Sequence, residues 1–188
     1  SLEMDSTALA FALSEDPEDY ECEENTGDLG RGVVSTLLST IGETATDLQA
    51  WEQALRIVQE LAPAESGAAL RVEPDGRLRF VAATGPKAAG VVGVVLPGGT
   101  GIIGFCVARK VGLVVSRPQR DPRFFGEMDR ITGYATKNVL CVPVRDPQEA
   151  GHVWGCLELL NADSNFGRSQ LELADDVAAA LASRLARG

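Results

Sequence analysis

The chain has 188 residues and a formal charge of −10, a length that fills one well-buried domain and falls short of two. All ten excess acids, from Glu3 to Asp28, precede the first basic residue, Arg31, so the remainder balances 17 acids against 17 bases and offers no electrostatic footprint for nucleic acid or an anionic membrane. No apolar run reaches the ~18 residues of a membrane span, and the start lacks the basic and apolar regions of a signal peptide; a soluble cytoplasmic protein is the expectation.

Residues 1–30 add Pro17 and Gly27 to that charge and show one short apolar patch, Ala8 to Leu13. So little apolar surface does not offset the entropy of ordering, and the segment reads as a disordered acidic tail or linker before a domain spanning 31–188. From there Val34, Leu37, Leu38 and Ile41 recur at helical spacing and Gly42 supplies a stop. Thr46 and Gln49 form a capping box, in which each side chain satisfies an orphan amide. Leu48, Trp51, Leu55, Val58 and Leu61 then mark one face of a helix that Pro63 ends, and this helix is expected to pack on a sheet.

Ala68, Leu70 and Val72 alternate with Arg71 and Glu73, and Leu78, Phe80 and Ala82 with Arg77 and Arg79, on either side of Pro74-Asp75-Gly76. Period-two alternation flanking such a turn predicts a hairpin with one buried face. A third strand is expected at 93–96, a short helix at 100–110 behind Gly98, Gly99 and Gly101, and a short strand at 113–116. Asp121, followed by Pro122, is the expected cap of a further helix. The apolar runs from Val139 and Val153 read as central strands covered on both faces. Ser169 and Glu172 predict a second capping box, opening a helix with Leu171, Ala174, Val177, Ala178, Leu181 and Leu185 along one stripe. Helices at both ends of an antiparallel sheet make an α+β layered domain.

Few residues suit catalysis. His152, the lone histidine, sits at the connection between the two apolar strands, which disfavours a dyad, axial haem ligation or a metal cluster. Cys22, Cys106, Cys141 and Cys156 show no Cys-x-x-Cys spacing, and the last three lie in apolar runs where a thiol behaves as a small hydrophobe; no metal and no cofactor are expected. Glycines 98, 99, 101 and 104 serve either tight-turn geometry or an anion at a helix start, without the Gly-Lys-Ser/Thr ending of a phosphate loop. Glu158, polar within an apolar strand, either faces a cavity with Trp154 and Cys156 or lies on an exposed edge.

Five features occur in order: the glycine-rich opening at 98–104, Asp121-Pro122-Arg123-Phe124, Thr132-Gly133, Val142-Pro143-Val144, and Trp154-Gly155-Cys156-Leu157-Glu158-Leu159-Leu160-Asn161. Together they resemble the GAF domain, a sensing and dimerising module of signalling proteins, bacterial sensors among them. The resemblance implies a GAF/PAS-like central antiparallel sheet, with N- and C-terminal helices on one face and short helices and loops enclosing a pocket on the other. It also implies a pocket lined by Phe80, Thr100, Ile103, Phe124, Thr132, Tyr134, Thr136, Asn138, Cys141 and Glu158. The expected role is a non-enzymatic regulatory one, with an unidentified small molecule as ligand and a homodimer formed through the terminal helices.

Two departures separate the chain from cyclic-nucleotide-binding members. Of their Asn-Lys, Phe, Asp-Glu pattern, Asn161 and Phe166 remain, while Ala162, Gln170 and Leu171 replace the Lys, Asp and Glu. The acid commonly found four residues before Asp121 is Arg117, which would favour an anionic ligand. Free methionine-(R)-sulfoxide reductases share the fold and use cysteine chemistry, but Ile103 stands where their cysteine is expected. A pure dimerisation module with a filled pocket is the third reading.

Overall fold

A computed structural model of the chain describes residues 30–188; the expectation for the acidic segment therefore lies, but for Gly30, outside the described residues. Two helices come first, α1 (Arg31–Gly42) and α2 (Asp47–Leu61). The Thr46 hydroxyl accepts from Gln49 N at 3.2 Å and the Gln49 side chain accepts from Thr46 N at 3.3 Å, so α2 starts as its sequence predicts. Its buried arc also takes in Ala50, Ala54 and Ile57. Leu48 is 51% exposed, contrary to the expected stripe. At about 100° per residue the arc centres between Ala54 and Val58, because α2 packs against both the sheet and the C-terminal helix, and Leu48 falls beyond its margin.

Strands β1 (Ser66–Val72), β2 (Leu78–Thr84), β3 (Val95–Leu96), β4 (Leu113–Val115), β5 (Val139–Arg145) and β6 (Val153–Leu160) form one sheet in the order β3-β2-β1-β6-β5-β4. Every neighbouring pair is antiparallel. The two apolar runs are indeed central, with β5 buried along its length up to Arg145. Between them come α3 (Ala88–Val91), α4 (Gly101–Arg109) and α5 (Glu127–Thr132), and α6 (Arg168–Ala186) closes the chain.

Helices α2 and α6 cover one sheet face, with Leu140, Val142, Leu157 and Leu159 beneath them, and α1 packs against both helices. Leu70, Phe80, Cys106, Cys141 and Cys156 belong to a second cluster on the opposite face, with Ile102 and Ile103 of α4. This two-faced layering is the α+β arrangement that the element order implied. No helix among the described residues is long and apolar enough to cross a membrane.

Two caps differ from expectation. No helix begins at Asp121: Pro118–Arg120 form a 3-10 turn, and the Asp121 carboxylate accepts from Arg123 N at 2.8 Å and from its guanidinium at 2.8 and 2.5 Å. That local pairing folds the chain back on itself, and α5 waits until Glu127. Helix α6 starts one residue before Ser169, with Gly167 as its cap; Gln170 reaches back to accept from Gly167 N at 2.8 Å. Glutamine three residues inside the helix does what Glu172 was expected to do, and Ser169 lies within the first turn.

A bulge also breaks the parity of β6. Val144 pairs with Gly155 but Arg145 pairs with Val153, leaving Trp154 as the additional residue. Trp154 consequently packs with the helix-side cluster, its ring edge-on to His152 at 4.7 Å. It does not share a face with Glu158.

Candidate functional site

The glycine-rich segment sets the roof. Gly101 has φ +68°, and a Cβ there would lie 2.9 Å from Phe125 Cβ; a Cβ on Gly104 would lie 2.3 Å from Gly99 C. The glycines thus allow α4, its own lead-in and the Phe124-Phe125 turn to crowd together. Arg123 braces that turn, its guanidinium 4.6 Å from the centroid of Phe105 on α4.

Between this roof and the sheet lies a cavity of about 120 Å³. Eight of the ten residues named from sequence surround it: Phe80, Thr100, Ile103, Phe124, Thr132, Tyr134, Thr136 and Glu158. Asn138 and Cys141 do not. Asn138 is spent on structure, its side chain donating to Ala162 O at 3.2 Å and accepting from Ala162 N at 2.8 Å. Cys141 lies deeper, fully buried beneath α4, where the Cys106 and Cys156 thiols approach it. Arg117 is not part of the lining.

Sequence reasoning missed Ser66, Ala68 and Asp129. Small residues on β1 line a cavity because they leave room, a property visible only once β2 and β6 are set beside them. Asp129 carries a long-range signal: its carboxylate accepts from Thr136 N at 2.8 Å and from the Thr136 hydroxyl at 2.7 Å, tying α5 to the segment before β5. Gln119 donates to Thr136 O from the other side.

Glu158 is the polar feature of the floor. It stands between Ala68 of β1 and Cys141 of β5 in the strand register, is 8% exposed, and borders the cavity. Burial holds its carboxyl well above the usual carboxylate range, and Cys141 and Asp129 push the same way. Burial likewise raises the phenol of Tyr134.

The thiols of Cys106, Cys141 and Cys156 are all fully buried, and none lines the cavity. Burial holds Cys106 above the ordinary thiol range, and contact with Cys141 together with burial does the same for Cys156. Hydrogen bonds from Cys106 and Cys156 lower the pKa of the Cys141 thiol to about 5, but it is fully buried; with Cys22 replaced by serine, native protein is therefore expected to react with a soluble aromatic disulfide at least roughly 100-fold more slowly than urea-unfolded protein, because burial withholds access to all three thiols. Rapid labelling of Cys106 or Cys141 would place a reactive thiol within reach of the cavity.

A family model described as GAF domain matches residues 48–185. A dual 3',5'-cyclic-AMP and -GMP phosphodiesterase 11A from Takifugu rubripes is 33% identical over 72 residues, 38% of this chain and 8% of that protein; the chain spans under a tenth of the curated relatives it matches. Among solved structures, the GAF domain of a phosphoenolpyruvate-protein phosphotransferase from Coxiella burnetii superposes with a TM-score of 0.72 at 18% identity, covering 83% of this chain and 92% of that one. A free methionine-R-sulfoxide reductase from Neisseria meningitidis, solved with its substrate, gives 0.67 at 16% identity, with coverage of 83% and 87%. At these identities the structural likeness concerns the fold.

Proposed function

The chain belongs to the GAF domain family, a family of signalling and regulatory modules, and we propose that it is a non-enzymatic regulatory domain whose cavity binds a small molecule. The observation that carries this reading is the cavity itself, enclosed by α4 and the 123–136 segment and bordered at its floor by a buried polar side chain. Ligand pockets combine such apolar enclosure with a few placed polar groups. The terminal helices would pass occupancy on: α1 leaves Val33 50% exposed, a surface suited to pairing with a second copy about a two-fold axis. The output would lie elsewhere in the polypeptide or in a partner.

The sulfoxide-reductase reading draws on the Neisseria likeness but needs a thiol at the ligand. Among the described residues the three cysteines are fully buried and outside the lining, which favours regulation over turnover. A thermal-shift screen over cyclic nucleotides, amines and amino-acid-like anions tests the proposal. A ligand at 100 times its Kd adds about 2.7 kcal/mol to native-state stability, or roughly 5–10 °C in Tm for a domain of this size. Ala68→Leu, which fills the cavity, is expected to erase that shift in a protein that still folds. A library without a hit would leave the dimerisation module standing, and turnover of free methionine sulfoxide would overturn the non-enzymatic reading.

A further inference from the structure

The cavity's polar groups are lopsided in charge. Glu158 is more than nine-tenths buried, and its carboxyl makes no hydrogen bond to the described residues. Buried polar groups in native proteins are almost always partnered, so a carboxyl bordering a cavity without a protein partner points to a partner supplied from outside, and the negative surroundings favour a cationic donor. Asp129, the other carboxylate of the lining, has both oxygens occupied by Thr136 and adds negative potential without needing a partner. The only basic residue among the lining is Lys87, which is exposed at the rim.

We infer that the cavity takes a small organic ammonium ion, whose N–H groups donate to Glu158 and whose apolar part lies against Phe80, Ile103 and Phe124. This rests on the reading of the cavity as a ligand site. Aromatic faces attract cations as well as apolar groups, so one lining serves both ends of such a ligand. The space is of the order of the ~150 Å³ cavity that accepts benzene, which suits a body of one ring or a short branched chain. A nucleoside phosphate would set its negative charge against the Asp129 carboxylate, with no basic group but the exposed Lys87 to offset it. The anionic ligand suggested by Arg117 finds no support, because Arg117 lies outside the lining.

Protonation separates this ligand class from a neutral one. The groups facing Glu158 are Cys141 from β5, Cys106 from α4, Cys156 on its own strand and Asp129 from α5, none of which supplies a positive charge. The empty site therefore favours the protonated acid, and an ammonium ion must expel that proton as it binds. Its affinity rises with pH until the free-state pKa of Glu158 is passed. A neutral acceptor that bonds the protonated acid shows the opposite slope.

The test uses benzylammonium, benzyl alcohol and benzoate as probes, by thermal shift and by calorimetry in two buffers of different ionisation enthalpy. Benzylammonium is expected to bind at least tenfold more tightly than the other two, to release a proton, and to bind more tightly at pH 8 than at pH 6. Glu158→Gln is expected to weaken it at least tenfold. That variant should fold: an acid whose folded pKa is raised contributes stability present below its unfolded pKa and lost as pH rises, so the amide is no less stable at neutral pH. Equal binding of benzyl alcohol or benzoate, or indifference to Glu158→Gln, overturns the ammonium assignment and leaves the ligand site standing. Silence from all three probes also overturns the assignment; only if the library screen is silent too does the ligand-site reading fail with it.

Discussion

Gly155→Ala is expected to lower the unfolding free energy by about 3–5 kcal/mol, combining overpacking with backbone strain. A Cβ at this position would lie 1.9 Å from Leu70 O and 2.9 Å from Trp51 Cη2, on a backbone with φ +157°. Neither neighbour can yield cheaply. Leu70 is fully buried in the adjacent strand, and Trp51 is a buried residue of α2. Relief would have to come from opening the β1–β6 pairing in which Arg71 faces Gly155. That same pairing positions Ala68 against Glu158, so loss of stability and loss of the cavity floor should arrive together. Gly133→Ala is the control: φ is +70° there, but nothing lies within 4 Å of the added Cβ, and the cost should stay near ~1 kcal/mol. Urea midpoints of the two variants decide the matter, and equal midpoints would remove the steric argument.

The same residue shows where the sequence was readable and where it was not. The capping box at Thr46, the Pro74-Asp75-Gly76 turn and the stop at Gly42 are local, decided within a few residues of where they are written; the single buried face expected of that hairpin is not, since β1 lies between β2 and β6 with residues 66–70 buried on both faces. Trp154 was misplaced because alternation assumes an unbroken ladder, and the bulge beside Gly155 is a decision made by β1, β5 and α2 together. Asp121 was misread because a carboxylate that suits a helix cap suits a turn equally well when an arginine follows two residues later. Leu48 missed its face for a third reason: α2 is covered from two directions, and the centre of its buried arc shifts toward the alanines.

The candidate site divides along the same line. Roof residues such as Thr100, Phe124 and Thr132 sit in segments whose order resembles the family. The floor depends on register instead. Cys141 and Glu158 are direct cross-strand partners, yet α4 covers the first through Cys106 while the second borders open space. No feature of Cys141 in the sequence distinguishes those outcomes.

Asn161→Ala is expected to cost about 3 kcal/mol and to weaken any cavity ligand at least roughly tenfold, through buried backbone groups left unpaired and a left-handed residue that alanine accepts poorly. Asn161 directly follows β6, at φ +62°. Its Oδ1 accepts from Lys137 N at 2.7 Å, and its Nδ2 donates to Ala135 O at 2.8 Å and to the Tyr134 hydroxyl at 3.1 Å. One amide thus fixes the 134–138 segment, and with it the Tyr134 wall of the cavity. Its backbone also receives Glu65 N at 2.9 Å just ahead of β1, and the chain beyond it passes the buried Phe166 into α6. A ligand pressing on Tyr134 would therefore bear on the residue that joins the sheet to the C-terminal helix. Hydrogen exchange should show faster amides at 134–138 in the alanine variant, with α2 unchanged relative to global stability. Asn161→Gly separates the two causes, since glycine relieves the backbone but keeps none of the side-chain bonds. If glycine restores full stability and slow exchange, the left-handed conformation was the whole effect and the bracket on Tyr134 has no energetic role.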